Sequence, residues 1–538
     1  MASYNQQRES LEVIDANAPS SFDLAAFSRF KHGDGSVTSE YGQALAEHVL
    51  EVAPQFSEDT LITGSCFKYT PVASHYLARE TQYWLNSSAA EHDRDPVKHI
   101  KIDRAELFDG DYSAMTNTER ARLLQSDRIT ADLGRLAGKR LIVVDDIRIT
   151  GGHEKKIASL LEQSDVEDVL FLYVAELRGD TDDPTIEDRL NRSTITEPAD
   201  LIPLFSEPGF KLNSRAVKFV IGRFTSEDRA VLLATLDNEA RRALWSAVMH
   251  NGYYQMPQYA DAARQLYLAV EPVAPYEPQA FNAERYSQMK YGSLEAAREY
   301  GAALYDQIVE NSPELLRSDN LVLSPGATAD TPKAAHAICE ELLYRVNTWR
   351  YENGMKPARQ LDLHSSNLAA GDYGKLSQAE REARHSQSAI SGDYEVLRGA
   401  DVVVIDDISI SGQTALVMDR VFDGLPVRSY RQLFAAKIDP KAAEQNPAIE
   451  SEINQASIDS LASLSELAAR ERFAINQRVA KFVLSRETRS ELSDFITHAP
   501  EELLQSVERA ALMDGMYLLE DYTDSFDQIK QAVRSQTK

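Results

Sequence analysis

The sequence predicts an α/β protein that contains two tandem copies of one domain, each a mainly parallel sheet flanked by helices with additional helical segments. Continuous apolar runs such as 141–144 suit strands buried on both faces, as in parallel sheets. The stretch 141–153 (LIVVDDIRITGGH) recurs as 402–414 (VVVIDDISISGQT). Further matched segments lie about 260 residues apart in the same order. This order indicates a tandem duplication.

The length of 538 residues exceeds what one hydrophobic core usually supports. Between the copies, three prolines fall within seven residues, which favours extended chain. We therefore predict a first domain over 1–268, a Pro-rich linker over 269–280 and a second domain over 281–538.

The elements of the first copy are predicted in order, and the second copy repeats them. A helix over 44–52 precedes a strand at 61–62. A second helix is predicted to open at Thr70 and Pro71, because Thr is a common N-cap and Pro is favoured in a first helical turn.

The later elements complete each predicted domain. Short apolar stretches near 97–102 predict further strands, and the acidic motif is followed by a helix over 153–163 and a strand over 169–177. A run of apolar and basic residues at 213–219 is predicted to be strand-like. The helical stretch 226–250 is additional to the minimal core of strands and helices, and we expect it to form a hood or an interface.

Two carboxylates follow the strand in each copy, and a Gly-bearing loop then leads into a helix. Anionic acceptors suit vicinal hydroxyls or hydrated Mg²⁺. A loop at a helix N-terminus offers N–H groups and a favourable dipole to a phosphate. A ligand that needs both features is a 5-phosphorylated ribose, which has a diol at one end and a phosphate at the other.

Both stretches resemble the PRPP-binding motif of type I phosphoribosyltransferases: four apolar residues, two acids, then a Thr/Ser-Gly loop. The resemblance implies that Asp145 and Asp146, and likewise Asp406 and Asp407, hold the ribose hydroxyls and Mg²⁺. It implies that the following loop grips the 5-phosphate. The implied PRPP contacts are Arg148, Thr150, Gly151, Gly152, His153, Ser409, Ser411, Gly412, Gln413 and Thr414.

A second loop falls where the family binds pyrophosphate. There Gly64 and Ser65 permit close backbone approach, and Lys68 supplies charge to the leaving group; the alternative is a glycine turn with an exposed lysine. The matching loop of the second copy has Ala329 and Asp330 where basic help would be useful. On this loop the first copy is better equipped for catalysis.

Other basic residues fit either a functional or a structural role. Five of them lie where the family's mobile catalytic loop falls, and they also suit a solvated helix face: Arg120, Arg122, Lys375, Arg381 and Arg384. Lys218 and Lys481 fit an acceptor-side role or, more simply, structural salt bridges.

The resemblance implies an Mg²⁺-dependent enzyme of the glycosyltransferase class. It would transfer 5-phosphoribosyl from PRPP to a nitrogen of a small nucleobase-like acceptor and release pyrophosphate, with Asp145, Asp146, Asp406, Asp407 and Lys68 as catalytic residues. Two arrangements stay open: both domains are active, or one is active and the other is a scaffold or regulatory domain. The alternatives are a PRPP synthetase-like enzyme and a non-catalytic PRPP or nucleotide sensor.

The Lys-x-Gly start at Lys31 and the Gly-Asp-Tyr segment at 110–112 are also similar to phosphoribosyltransferase-related proteins of bacterial tellurite-resistance and stress gene clusters. That similarity implies a bacterial protein of nucleotide metabolism.

The composition of the chain limits the classes of partner that it can bind. A net charge of -27 argues against nonspecific binding to nucleic acid or an acidic membrane, so a site for PRPP must be locally basic or metal-filled. Cys66 and Cys339 are too few for a disulfide framework, and the first residues lack a signal-peptide pattern, so we expect a cytoplasmic protein. We also expect the two halves to pair as an intrachain pseudo-dimer.

Overall fold

The computed structural model describes residues 4–15, 22–105, 128–178, 186–273, 276, 280–366, 390–410, 412–446 and 448–536. Two compact units are present. The first comprises Met1–Ala89 and Pro96–Pro272, and the second comprises Ala90–Asp95 and Val273–Lys538. Each contains a mainly parallel sheet flanked by helices, so the predicted fold class is confirmed.

The first unit is built on a five-stranded parallel sheet with the order β1-β7-β6-β2-β3. A separate antiparallel pair is formed by β4 and β5. The strands of this unit are β1 (Asn5–Asp15), β2 (Thr60–Thr63), β3 (Lys98–His99), β4 (Ile102–Arg104), β5 (Ile129–Ala131), β6 (Arg140–Arg148) and β7 (Asp168–Arg178).

Helices cover this sheet and extend the chain beyond it. They are α1 (Leu24–Lys31), α2 (Gly35–Val52), α3 (Ala73–Ala90), α4 (Gly152–Leu161), α5 (Ile186–Asn191), α6 (Pro198–Leu201), α7 (Ser214–Arg223), α8 (Ser226–Thr235), α9 (Asn238–Asn251) and α10 (Ala260–Leu268). Alternate residues of β6 enter two different cores. Ile142 and Val144 pack with α1, α2 and α3, whereas Leu141 and Val143 pack with α4. The continuous apolar run therefore serves both faces, as a central parallel strand requires.

The second unit has a four-stranded parallel sheet, β10-β8-β13-β14, and a small mixed sheet, β12-β11-β9. Its strands are β8 (Leu321–Ser324), β9 (Ala327–Thr328), β10 (Arg359–Gln360), β11 (Leu363–Ser365), β12 (Ile390–Ser391), β13 (Asp401–Ser409) and β14 (Ser429–Lys437). Its helices are α11 (Ala283–Lys290), α12 (Leu294–Asn311), α13 (Ala334–Glu352), α14 (Gln413–Phe422), α15 (Pro440–Gln445), α16 (Ile449–Asn454), α17 (Leu461–Arg470), α18 (Gln477–Leu484), α19 (Leu492–His498), α20 (Glu501–Asp514) and α21 (Thr523–Gln536).

Strand β1 was not predicted. It pairs in parallel with β7 over its whole length, from Asn5 opposite Asp168 to Asp15 opposite Arg178. In the described part of the second unit no strand pairs with the outer edge of β14, the counterpart of β7. The two units therefore differ at this edge of the sheet.

The predicted start of the second helix was wrong. Helix α3 begins at Ala73 rather than at Thr70, because Thr70 is used elsewhere: its N–H donates to Asn251 Oδ1 at 3.3 Å. The matching Thr331 donates in the same way to Asp514 Oδ1 at 3.0 Å. Both Thr residues thus attach the loop to a later helix instead of capping the next one.

The strand-like assignment of 213–219 and 476–482 was also wrong. These residues form helices α7 and α18, which begin after the N-cap residues Asn213 and Asn476. Each Asn side chain accepts from the first helical turn and also donates to a lysine carbonyl. Asn213 Nδ2 lies 3.3 Å from Lys31 O, and Asn476 Nδ2 lies 3.1 Å from Lys290 O.

None of the described helices is long and apolar enough to span a membrane. The predicted Gly-Asp-Tyr segment at 110–112 and the basic loop residues Arg120, Arg122, Lys375, Arg381 and Arg384 lie outside the described residues, as does Ser411.

Gly33 lies in a constrained turn after α1. Its φ is +107°, and a Cβ added there would lie 2.5 Å from Lys211 O. The second unit repeats this turn at Gly292, with φ +100° and Ala474 O at 2.6 Å. Only glycine satisfies both the backbone conformation and the close approach.

We therefore predict that Gly33→Ala lowers the free energy of unfolding by on the order of 2 kcal/mol, because the backbone must shift. Urea unfolding of the full chain measures the change. Gly134→Ala is the control, since the nearest atom to its added Cβ is 3.5 Å away; its effect should stay within about 0.5 kcal/mol. Equal midpoints for the two variants would contradict the close approach.

Candidate functional site

The predicted acidic motif of the first unit lies where β6 leads into α4. Asp145 and Asp146 belong to the last residues of the strand, and the loop that follows ends at Gly151, the N-cap of α4. Gly151 has φ +68°, and no side chain caps the helix. The start of α4 thus faces the same end of the strand as the two carboxylates.

Asp145 is held by neighbours from two other segments. Ser65 Oγ donates to Asp145 Oδ1 at 2.8 Å, and His153 Nδ1 lies 3.6 Å from Asp145 Oδ2. Burial by itself would raise the pKa of Asp145, but the contacts with His153, Lys31 and Ser65 hold it below its ordinary value. The carboxylate is therefore ionised at neutral pH and oriented by its partners.

Asp146 forms a buried ion pair with Lys31, the last residue of α1. The side chains of Lys31 and Asp146 are only 8% and 13% exposed. The second unit repeats the pair, with Lys290 Nζ 2.5 Å from Asp407 Oδ2. Lys31 and Lys290 were not among the predicted site residues; their sequence signal is the Lys-x-Gly pattern present in both copies.

A cavity of about 640 Å³ opens beside the two carboxylates and the start of α4. Seven Lys and Arg side chains line it against four Asp and Glu, although the whole chain carries a net charge of -27. The basic residues are Lys31, Arg104, Arg148, Arg192, Arg215, Lys218 and Arg223. The acids are Asp145, Asp146, Glu154 and Glu187. The cavity is thus locally basic, as an anionic ligand requires.

One face of α7 forms the opposite wall of this cavity. Arg215, Lys218, Phe219 and Gly222 recur at helical spacing along it. A Cβ at Gly222 would lie 3.3 Å from the ring of Tyr259, so the glycine lets this second aromatic side chain approach. The wall combines cations with aromatic surface.

The structure brings most predicted residues of the first copy to the cavity and leaves two away from it. The predicted residues that line the cavity are Ser65, Asp145, Asp146, Arg148, Thr150, Gly151, Gly152 and His153. Gly64 instead packs on α3, where a Cβ would lie 2.6 Å from Ser74 O. Lys68 Nζ lies 3.3 Å from Asn251 O, and a role for Lys68 with the leaving group stays a prediction.

In the second unit, the corresponding residues have a different environment. Gly412, with φ +72°, is the N-cap of α14, and Ser409, Gln413 and Thr414 lie beside it. Gly326 stands where the first unit has Ser65, so this position has no hydroxyl to orient the first carboxylate.

The titration of the second acid pair also differs from that of the first. Burial and the neighbouring charge of Asp407 raise the pKa of Asp406 to about 7. Lys290 and other neighbours hold the pKa of Asp407 below its ordinary value, although burial opposes them. Asp406 is therefore partly protonated near neutral pH, which weakens it as an acceptor for a diol or a cation.

Among the described residues, no group of three or more His, Cys, Asp or Glu is placed to hold a metal ion. Mg²⁺ that binds together with a substrate needs fewer protein ligands, because one or two carboxylates suffice when water and substrate phosphates supply the other ligands. The adjacent carboxylates Asp145 and Asp146 fit this requirement.

A parallel sheet whose central strand ends in two acids, a Gly loop and a helix N-terminus defines a protein of the phosphoribosyltransferase class. The chain belongs to the PRTase ComF-like family, whose model matches residues 6–266 and again 272–529. The predicted family resemblance and its tandem arrangement are thus confirmed.

Several solved structures are similar to this chain. A hypoxanthine phosphoribosyltransferase from Staphylococcus aureus is 14% identical over 30% of this chain and 78% of its own, with a TM-score of 0.18. The Trypanosoma cruzi hypoxanthine phosphoribosyl transferase is 13% identical over 31% and 81%, also with a TM-score of 0.18. Leishmania donovani UMP synthase is 12% identical over 89% and 100%, with a TM-score of 0.16. No curated protein sequence matches the chain.

The buried pair of Lys31 and Asp146 yields a stability prediction. Lys31→Met should lower the free energy of unfolding by about 3 kcal/mol, because it leaves a buried carboxylate unpaired. The control is Lys139→Met, whose pair with Asp59 is 41% and 62% exposed and should matter by less than about 1 kcal/mol. Chemical unfolding of the double variant Lys31→Met with Asp146→Asn should recover part of the loss; no recovery would contradict the pairing.

His32 yields a pH prediction. Burial lowers its pKa to about 3 from an ordinary 6.5. The neutral ring therefore contributes stability above about pH 6.5 that is lost as the pH falls towards 3, at up to about 1.4 kcal/mol per pH unit. His32→Tyr copies Tyr291 of the second unit, which packs edge-on against Phe482 as His32 does against Phe219. Unfolding measured from pH 7 to pH 4 should show a smaller loss for His32→Tyr than for the wild type; identical profiles would contradict a buried neutral His32.

Proposed function

We propose that the first unit binds PRPP together with Mg²⁺ and transfers the 5-phosphoribosyl group to a nitrogen of a small-molecule acceptor, with release of pyrophosphate. The observation that carries this proposal is the basic cavity of an acidic chain, where the acid pair and the start of α4 meet. A ribose with a phosphate at each end matches both features.

The two ends of PRPP have different partners in this proposal. Asp145 and Asp146 accept from the ribose hydroxyls and hold Mg²⁺, and the loop of Thr150, Gly151 and Gly152 receives the 5-phosphate at the start of α4. Two bare carboxylates would repel so anionic a substrate. Lys31 offsets the charge of Asp146 and thereby lowers that repulsion.

In the proposed reaction the bond between C1 and the pyrophosphate oxygen breaks, and its electron pair leaves with pyrophosphate. The acceptor nitrogen then forms the new bond to C1. The protein positions the reactants and stabilises charge: carboxylates lie near the positive ribose ring, and cavity cations such as Arg104, Arg215 and Lys218 favour the departing anion. Phe219 and Tyr259 supply aromatic surface for a planar acceptor.

For the second unit, a regulatory role without turnover is the better candidate. Gly326 lacks the hydroxyl of Ser65, and Asp406 is partly protonated near neutral pH. Both differences weaken the first carboxylate as a ligand for the ribose hydroxyls. Retained PRPP binding without pyrophosphate release is the result that this role requires.

Calorimetric titration of PRPP with Mg²⁺ into the full chain tests the binding part of the proposal. Pyrophosphate release is then assayed with a panel of nucleobases supplied as acceptors. Asp145→Asn with Asp146→Asn should lower pyrophosphate release by on the order of 100-fold or more, because the groups that hold the ribose and stabilise its charge are lost.

Asp406→Asn with Asp407→Asn is the matched control and should leave pyrophosphate release near the wild-type rate. Unchanged PRPP binding and turnover in the first double variant would exclude the first unit as the active site. Wild-type binding with no pyrophosphate release would replace the transferase by a sensor.

A further inference from the structure

A polar network centred on the buried carboxylate of Glu154 adjoins the loop of Thr150, Gly151 and Gly152, here called the phosphate loop. It joins strand β1 to the ends of β6 and β7 and to the first turn of α4. Its members are Gln6, Arg8, Arg148, Glu154, Tyr173 and Glu176.

Glu154 is the centre of this network. Arg8 Nη2 lies 2.5 Å from Glu154 Oε1, and Arg148 Nε lies 2.9 Å from Glu154 Oε2. Gln6 Nε2 donates at 2.8 Å and the Tyr173 hydroxyl at 3.1 Å. The Glu154 side chain is 7% exposed, and its donors satisfy a carboxylate that would otherwise be costly to bury.

Arg148 carries the network to the loop. Its guanidinium is fixed by Glu154 on one side and by Glu176, at 2.9 Å, on the other. A Cβ added to Gly151 would lie 3.0 Å from Arg148 Nη2. The guanidinium therefore packs against the backbone of the glycine that begins α4.

The described residues of the second unit do not repeat this network. Ser409, Ala415, Phe434 and Lys437 occupy the positions of Arg148, Glu154, Tyr173 and Glu176. The strand registers agree with this correspondence, since Arg148 lies opposite Glu176 and Ser409 lies opposite Lys437.

The same strand-loop-helix fold forms without the network in the second unit, where β13 leads into α14. A strand-loop-helix motif of this kind therefore does not in general require such a network. The network accompanies the unit whose cavity is basic and whose first carboxylate accepts from the Ser65 hydroxyl.

We infer that Arg8 and Glu154 are positioning residues for the phosphate loop of the first unit, and that β1 is the element that delivers this support. The inference rests on the proposed function, in which the loop binds the 5-phosphate. Backbone N–H groups bind a phosphate tightly only when the loop already has its binding conformation. A loop whose conformation is fixed by neighbouring side chains therefore has a higher affinity for phosphate. Arg148 then holds the loop through its contact with Gly151.

Arg8→Ala tests the inference in the full chain, with Arg8→Lys as the conservative variant. Glu9→Ala is the matched control, because Glu9 lies on the opposite face of β1 and contacts His48 at 3.4 Å. Two readouts are compared: hydrogen exchange of the ligand-free protein over 149–158, and titration of PRPP with Mg²⁺.

Arg8→Ala should increase exchange over 149–158 and weaken PRPP binding by on the order of tenfold, as is typical when a residue that orients a ligand-binding group is lost. Arg8→Lys should recover most of the affinity, since an ammonium retains the charge beside Glu154. Glu9→Ala should leave both readouts unchanged.

The exchange readout decides the inference even if the wild type does not bind PRPP, a result that would refute only the proposed function. Equal exchange over 149–158 in Arg8→Ala and Glu9→Ala would overturn the positioning role. A uniform increase across the first unit would also overturn it, because that result marks a purely structural residue. Tyr173→Phe, which copies Phe434, is the milder second variant and should raise exchange locally; no local change would overturn the inference as well.

Discussion

The buried pair between a lysine at the end of the first helix and the second acid of the motif is the constraint on which both units depend. Lys31 and Lys290 each end a helix, and each carbonyl of these lysines accepts from the Asn that caps a later helix. One short segment in each unit therefore joins three elements: the first helix, the central strand and helix α7 or α18. Because a charge pair of this kind is stable only when fully partnered, it fixes the relative positions of these elements.

The two units share this ion pair but differ in the residues around the first carboxylate of the motif. The first unit has a hydroxyl and an imidazole beside its first carboxylate, and a basic cavity. The second unit has a glycine in place of that hydroxyl, and its Asp406 has a raised pKa. These differences alter the chemistry of the site while the sheet order β2-β6-β7 persists as β8-β13-β14. The two units thus share one sheet framework and differ in the groups around the acid pair.

Local patterns predicted the central strands, the acid pairs and the helices behind them, because buried parallel strands have a strong apolar signal. Other features depend on partners far away in the chain. Strand β1 is polar, and only its pairing with β7 makes it a strand. The run 213–219 was predicted to be strand-like because apolar residues with scattered basic residues are compatible with both a strand and a helix. No local sequence pattern indicates that Lys31 is buried, so its ion pair with Asp146 could be identified only from the structure.

The position of β1 in the chain has a consequence for folding. Asn5 and Asp168 meet across a separation of 163 residues, so the first strand of this sheet along the chain pairs with the last one. Such long-range pairing forms slowly, because loop closure must precede it. During synthesis β1 lacks this partner strand until β7 has been made. The first unit therefore completes its sheet late, and the same step that closes the sheet brings Arg8 to Glu154.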